Sequence, residues 1–364
     1  MKEVWDKHKM IIIIGAVVAA ALLVAVILVV TGVFDAEEEE EAAPVVTSAW
    51  PVAVKERVVP QPPEPVRWPL TGVEALSAEE VAGTRIVAVK IENSPAARPQ
   101  TNLDQADIVY EALTEGGITR FNALFHSRTP DDIGPVRSAR PSDIQLVPQY
   151  SALFANSGAN TTVLRRLRSS GIENLDHGGT GAAYWRVRGR SAPHNLHVNI
   201  TRIREAALAR GYAATQTVDA LVFSPSVDPA HGPSVTSGVT VPFSPQNRVD
   251  WSYVPDENVY LRENNGQPHV DRSGEQYRAR NVVVMWAQTS ATGPAGIGGR
   301  TLEISLVGSN RVSVFRDGVR IDGTWEASAD KPPVFRDAEG RIVRLGPGVT
   351  WFQVVPTNVD IVVR

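Results

Sequence analysis

Arg98, Arg120, Arg137 and Arg140 fall within Val89 to Asp143, a stretch that also holds Asn93, Ser138, Asp104, Asp107, Glu111 and Glu115. A guanidinium offers a planar fork of N–H donors that matches a carboxylate or a phosphate. Gly134 and Pro135 precede Arg137 and Pro141 follows Arg140, which restricts the loop and aims its side chains. Asn93, Arg98, Arg120, Arg137, Ser138 and Arg140 are therefore expected to form an anion-binding site. The competing expectation is internal pairing of each Arg with Asp104, Asp107, Glu111 or Glu115. The chain holds 30 Arg against 6 Lys, a bias that base composition alone produces, so an Arg by itself argues weakly for a site.

His194 and Asn195 form a second candidate, in Ser191-Ala-Pro-His-Asn-Leu-His197. An imidazole held behind a proline can act as a general acid or base near neutral pH. A structural hydrogen-bonding role is the alternative. Glu111 is the second catalytic candidate, because paired carboxylates with Glu115, Asp104 or Asp107 can hydrolyse a glycan. Salt bridging competes with that role. His194 and His197 are too few for a metal site without Cys or a marked third ligand, so no metal is expected. No G-x-S-x-G elbow, P-loop, dinucleotide glycine pattern or EF-hand occurs, and no cofactor is expected. His126, His177 and His231 read as ordinary histidines.

These residues need elements to hold them. Arg85 to Glu92, Asp107 to Leu113, Thr119 to Phe125 and Ser151 to Ala155 read as strands, rich in Ile, Val, Phe and Tyr. Thr161 to Ser170 reads as a helix with Val163, Leu164 and Leu167 on one face and Gly171 as its stop. Ile200 to Arg210 is another, ended by Gly211, and Pro141 to Tyr150 a short third. Residues 69–213 are thus expected to be an α/β or α+β domain. A Ser/Pro/Gly-rich connector covers 214–239. Residues 240–364 carry short β-type runs, including Val249 to Val254, Asn281 to Trp286, Val319 to Trp325 and Val349 to Val355. Asn264-Asn265-Gly266, Asp317-Gly318 and Glu339-Gly340 punctuate them. This predicts a mainly antiparallel β-domain. Trp251, Tyr253, Tyr260, Trp286, Trp325 and Trp351 could line a glycan platform, although period-2 aromatics more often fill a β core.

Met10 to Phe34 contains no charged residue. Its 25 residues would span roughly 37 Å as a helix, enough to cross a bilayer core. Lys2, Lys7 and Lys9 precede it, and Asp35 and Glu37 to Glu41 follow, which places residues 1–9 in the cytoplasm and the rest outside. A cleaved signal peptide would have a shorter apolar run and a small-x-small exit. An uncleaved transmembrane helix at 10–34 is expected. Residues 35–68, acidic and then proline-rich, read as an extended stalk. Net charge is −4, which gives no nucleic-acid signature. Asn160 to Glu205 holds eight Arg against three acids; outside a cell that points to anionic wall polymers or lipid headgroups.

Several motifs resemble the YerB-like bacterial envelope lipoproteins. They are Pro69 to Gly72 (PLTG), Ile91 to Glu111 (IENSPAARPQTNLDQADIVYE), Glu115 to Phe121 (EGGITRF), Ile133 to Asp143 (IGPVRSARPSD) and Ala192 to His197 (APHNLH). Trp251 to Asp271, Phe315 to Trp325 and Trp351 to Pro356 resemble the second domain of the same family. The resemblance implies a membrane-attached protein of the bacterial envelope and no particular reaction. It raises His194 and Asn195 above the other histidine sites. This chain departs from the lipoprotein members in having no cysteine, so its anchor is expected to be the helix. The leading expectation is a single-pass binding or regulatory protein that holds an anionic wall polymer or an envelope partner. A wall-polymer hydrolase or transferase using His194 with an acid is the second, and a structural component the third.

Overall fold

A computed structural model describes residues 64–296 and 299–364, with side chains other than those of 294–298. The expected tail, the Met10 to Phe34 anchor and most of the stalk lie outside the described residues. Among the described residues no helix is long and apolar enough to cross a membrane.

The first segment runs α1 (Ala78–Gly83), β1 (Val87–Glu92), β2 (Ile108–Leu113), β3 (Thr119–Phe125), α2 (Pro141–Gln149), β4 (Leu153–Ala155), α3 (Thr161–Ser169), β5 (Tyr184–Arg186), β6 (Leu196–Val198) and α4 (Ile200–Ala209). Each strand and helix read from periodicity is present to within two residues. The helices start where a side chain can satisfy their first amides. Asn160 accepts from Val163 N at 2.9 Å and Asn199 from Arg202 N at 2.9 Å. Gly171 and Gly211 then end them at positive φ. The β5–β6 hairpin is not foreseen, because strands so short carry no period.

The second segment is all β. It comprises β7 (Ser234–Val235), β8 (Gly238–Ser244), β9 (Asn247–Val254), β10 (Val259–Asn264), β11 (Gln267–Pro268), β12 (Arg278–Ala279) and β13 (Asn281–Ala287). β14 (Thr289–Gly296), β15 (Gly299–Ile304), β16 (Gly308–Arg316), β17 (Val319–Ala327), β18 (Val334–Arg336), β19 (Thr350–Pro356) and β20 (Val362–Val363) follow. Two tight turns use the residues their backbone demands. Asn265 and Gly266 both have positive φ, as do Asp317 and Gly318, the signature of a two-residue hairpin loop. A Cβ on Gly318 would also lie 2.5 Å from the Tyr253 ring.

Both segments build one sheet, in the order β18-β17-β16-β13-β19-β2-β3-β1-β4. The seam lies between β19 and β2, paired from Thr350↔Ile108 to Val354↔Ala112. β19 runs parallel to both β2 and β13, a departure from the antiparallel pairing expected of residues 240–364. Parallel strands need cover on both faces, and both are covered. One face packs on the second sheet, β11-β10-β9-β8-β20, and on α4, through Val89, Ile91, Phe121, Trp351, Trp251, Tyr260 and Ile203. The other packs on α2 and α3, through Ala88, Tyr110, Leu124, Phe352, Leu146, Tyr150 and Leu167. Residues Pro63–Arg364 form one compact unit.

The aromatic residues weighed as a glycan platform are core. Trp251, Tyr260, Trp286, Trp325 and Trp351 are all buried, and Trp251 and Trp351 stack edge to face at 5.3 Å. Half-buried Tyr253 packs beside Tyr260 at 5.1 Å.

Candidate functional site

Strand parity separates the candidate residues. Successive side chains of a strand point to opposite faces. In β1, Val87, Val89 and Ile91 face the second sheet, while Ala88, Lys90 and Glu92 face the helices. The register Glu92↔Arg120 and Lys90↔Asn122 puts Arg120 and Asn122 on the helix face as well. Ile91↔Phe121 and Glu111↔Phe121 put Glu111 on the opposite face. Glu92 and Glu111 thus lie on different sides of one sheet.

On the helix face the apolar layer gives way to a polar one toward the strand ends. Lys90 Nζ donates to Asp143 Oδ1 at 2.6 Å, and Asn122 Nδ2 donates to the same atom at 3.2 Å. Asp143 Oδ2 accepts the Arg140 backbone N–H at 2.7 Å and caps α2. Burial pushes Lys90 down, against the pull of Asp143. Beside this layer stand three guanidiniums. Arg120 donates to Ser138 O at 2.8 Å. Burial first, then the charges of Arg140 and Arg137, push it down to about 9, which leaves it charged at neutral pH. Arg140 is spent on Glu115, at 2.7 Å, and on Ser138 O and Ala139 O.

Arg137 is different. Its Nε lies 3.2 Å from Glu92 Oε2, off the line of a hydrogen bond. Among the described residues none accepts a hydrogen bond from its guanidinium, although its side chain is only 20% exposed. Its backbone is fixed on both sides: its N–H donates to Lys90 O at 2.8 Å and its C=O accepts from Ser157 N at 3.0 Å. Gly134 lets this loop lie against β6, because a Cβ there would meet the His197 ring at 2.6 Å and Leu196 O at 2.9 Å.

His194 reaches the same carboxylate. Its Nδ1 is 2.9 Å from Glu92 Oε1 and 3.0 Å from Oε2. Ser94 Oγ donates to Oε1 at 2.6 Å. Glu92 is buried and therefore acts from behind, while the His194 side chain is 27% exposed. Nδ1 is thus the ring nitrogen turned to Glu92, and among the described residues Nε2 has no hydrogen-bond partner. Asn195 is buried and holds the loop: it accepts from Arg186 at 2.8 Å and donates to Val187 O and Arg190 O.

A cleft of about 870 Å³ is lined by Ser138, the residue after Arg137, and by Arg140, Glu115, the start of α3, Thr301 and Glu303. Arg166 of α3 pairs with Glu303 of β15 across it. A neighbouring cavity of about 410 Å³ shares Glu115 and Gly299 with it.

Asn93, Arg98 and Glu111 do not join this cluster. Glu111 is wholly buried and takes both oxygens' bonds from Arg262 at 2.9 and 2.8 Å, with a third from Thr119 at 2.7 Å. The Arg262 guanidinium lies between the Phe121, Trp251 and Trp351 rings. Asn93 donates to Glu111 and Thr119, and Arg98 donates to Asn93 and Asn264. Glu111 therefore has no face toward solvent for acid–base work, a correction with a plain cause: Glu92 ends β1 one parity away and holds the histidine instead. Sequence reasoning passed over Glu92 because it reads as the last residue of an apolar strand. Among the described residues no three His, Asp or Glu side chains converge as a metal cluster.

Two described family regions match the chain. Residues 70–213 match the N-terminal domain, and residues 239–352 the C-terminal domain, of the protein of unknown function DUF3048. The Bacillus subtilis (strain 168) protein named "Putative lipoprotein YerB" is 30% identical over 305 residues, 82% of this chain and 88% of that protein. The crystal structure of YerB protein from Bacillus subtilis superposes with a TM-score of 0.73 at 29% identity, over 82% of this chain and 99% of that one. The motifs, both matched regions and the shared fold agree: this chain belongs to the DUF3048, YerB-like family.

Proposed function

We propose that this protein is a membrane-anchored binding module of the bacterial envelope, and that it holds an anionic group of a wall component or of a wall-synthesis partner at Arg137. One observation carries the reading: Arg137, with its side chain only 20% exposed, its Nε buried and its backbone fixed, pairs with Glu92 but makes no hydrogen bond from its guanidinium to any described residue. The buried Arg120 and Arg262, and part-buried Arg98, each donate to protein acceptors. Glu92 lies close enough to aim Arg137 without saturating it. The relative's name, that of a lipoprotein, and the apolar stretch Met10 to Phe34 support placement in the envelope. Full-length protein in detergent, titrated with solubilised wall fragments, tests the reading. Arg137→Ala is expected to lower affinity about 10- to 100-fold, the loss of one or two charge-assisted bonds. Binding equal to wild type would remove Arg137 as the contact.

The pairing of His194 with Glu92 favours one further reading, a hydrolase or transferase acting on a wall polymer. In that reading Glu92 orients the ring through Nδ1, Nε2 acts on the substrate, and Arg137, held on the same carboxylate, neutralises an oxyanion. His194→Gln and Glu92→Gln should then each abolish turnover of the polymer that Arg137 binds. Full turnover by His194→Gln ends this reading and leaves the binding module standing.

A further inference from the structure

We infer that the ligand is a hydroxyl-rich glycan chain with widely spaced anionic groups and small apolar substituents, seated in the cleft between α3 and the β14–β15 hairpin. The inference rests on the anion reading of Arg137 and adds the chemistry of the chain around it. Ser138 lines the cleft and is the next residue after Arg137, so their Cα atoms stand about 3.8 Å apart. Arg137 is not itself in the lining, but it and the lining residue Arg140 both lie close enough to Arg120 to act on its charge. A chain of several units is therefore needed to reach from an anion on Arg137 into the cleft.

The lining decides what those groups are. Hydroxyl and amide side chains dominate: Ser138, Asn160, Thr161, Thr162 and Thr301. The charged residues are matched, Arg140 with Glu115 and Arg166 with Glu303. The cleft thus offers hydrogen bonds with no surplus positive charge. A chain with a phosphate in every unit would set anions against Glu115 and Glu303, and like charges in a half-buried cleft are repelled. A chain with one carboxylate among several hydroxyl-bearing units meets no such cost. The adjoining cavity is lined by Leu113, Ala291 and Leu302 beside Gly116 and Gly117, which suits a methyl group such as that of an N-acetyl sugar. The shared residues Glu115 and Gly299 make the two spaces neighbours, so an extended chain can occupy both.

The test titrates full-length protein in detergent with two probes of matched length. One is the peptide-free glycan strand of alternating N-acetylglucosamine and N-acetylmuramic acid, in fragments of two to eight sugars. The other is poly(glycerol phosphate). The expected result is affinity for the glycan that rises at least tenfold from the shortest to the longest fragment. That affinity should fall at least tenfold both in Arg137→Ala and in Thr162→Trp, where an exposed residue at the start of α3 is enlarged to fill the cleft. Glycan binding that needs Arg137 but ignores length and Thr162→Trp overturns the cleft and leaves the anion reading. Tighter binding of poly(glycerol phosphate), lost in Arg137→Ala, overturns the sparse-anion chain and again leaves the anion reading. Binding of either probe unchanged by Arg137→Ala, or of neither, overturns both.

Discussion

Glu111 and Arg262 meet with both side chains wholly out of solvent. Each charge is tolerable only because the other neutralises it, and because Thr119, Asn93 and three aromatic faces complete the shell. Removing one partner strands the other. Glu111→Gln is expected to cost roughly 3–5 kcal/mol in a denaturant titration, whereas Glu111→Leu with Arg262→Met should cost clearly less. Equal losses would mean that the pair is not coupled. His269 belongs to the same network: burial, then Arg262 and Arg98, hold it well below the usual imidazole range. It stays neutral, accepts from Arg262 and shares a hydrogen bond with Gln100 Oε1 at 3.0 Å. The contrast with Glu92 is one of position. Both are buried acids that face an Arg, but Glu92 lies under two partly exposed partners at the rim, and Glu111 lies under a second sheet.

At the level of elements, His126 joins the end of β3 to the segment around α1. Its Nε2 lies 3.2 Å from Val81 O, and its ring meets Trp68 edge to face at 4.7 Å. Burial pushes it down to about 4, below the ordinary value near 6.5 that the unfolded chain retains. The unfolded state therefore takes up the proton first. The stability tied to neutral His126 is complete above pH 6.5 and is lost as pH falls toward 4, a drop of roughly 3 kcal/mol. Asp107, which burial pushes up, contributes with the opposite sign. The comparison of wild type with His126→Gln isolates the histidine. Denaturation midpoints of the variant should fall less between pH 7 and 5, and parallel curves would refute the assignment.

For the whole molecule, β19 is the strand on which both segments depend. It closes the sheet between β13 and β2, so each segment alone would expose a long apolar edge. A chain ending before Thr350 is expected to lose the near-ultraviolet circular dichroism of both segments, and intact protein should unfold in one cooperative step. Native-like proteolytic resistance of residues 64–238 in the shortened chain would show the segments to be independent.

Strands, helices and turns were legible in the sequence because they rest on local physics. Period 2 marks Thr119 to Phe125, period 3.6 marks Thr161 to Ser169, and Asp317-Gly318 supplies the two left-handed residues of a tight turn. The gathering of Arg120, Arg137 and Arg140 was legible too, since one loop and the strand before it carry them. Their division from Asn93, Arg98 and Glu111 was not. It turns on which face a residue takes at a strand's last position, and a shift of one reverses the answer. By itself the sequence determined the family, the elements and the apolar stretch from Met10 to Phe34, all of which depend on residues near one another in the chain. Only the tertiary structure decided that Glu92 and not Glu111 holds His194, that Arg137 keeps an open guanidinium, and that β19 lies beside β2. Those outcomes depend on contacts between residues far apart in the chain, which register and burial settle together.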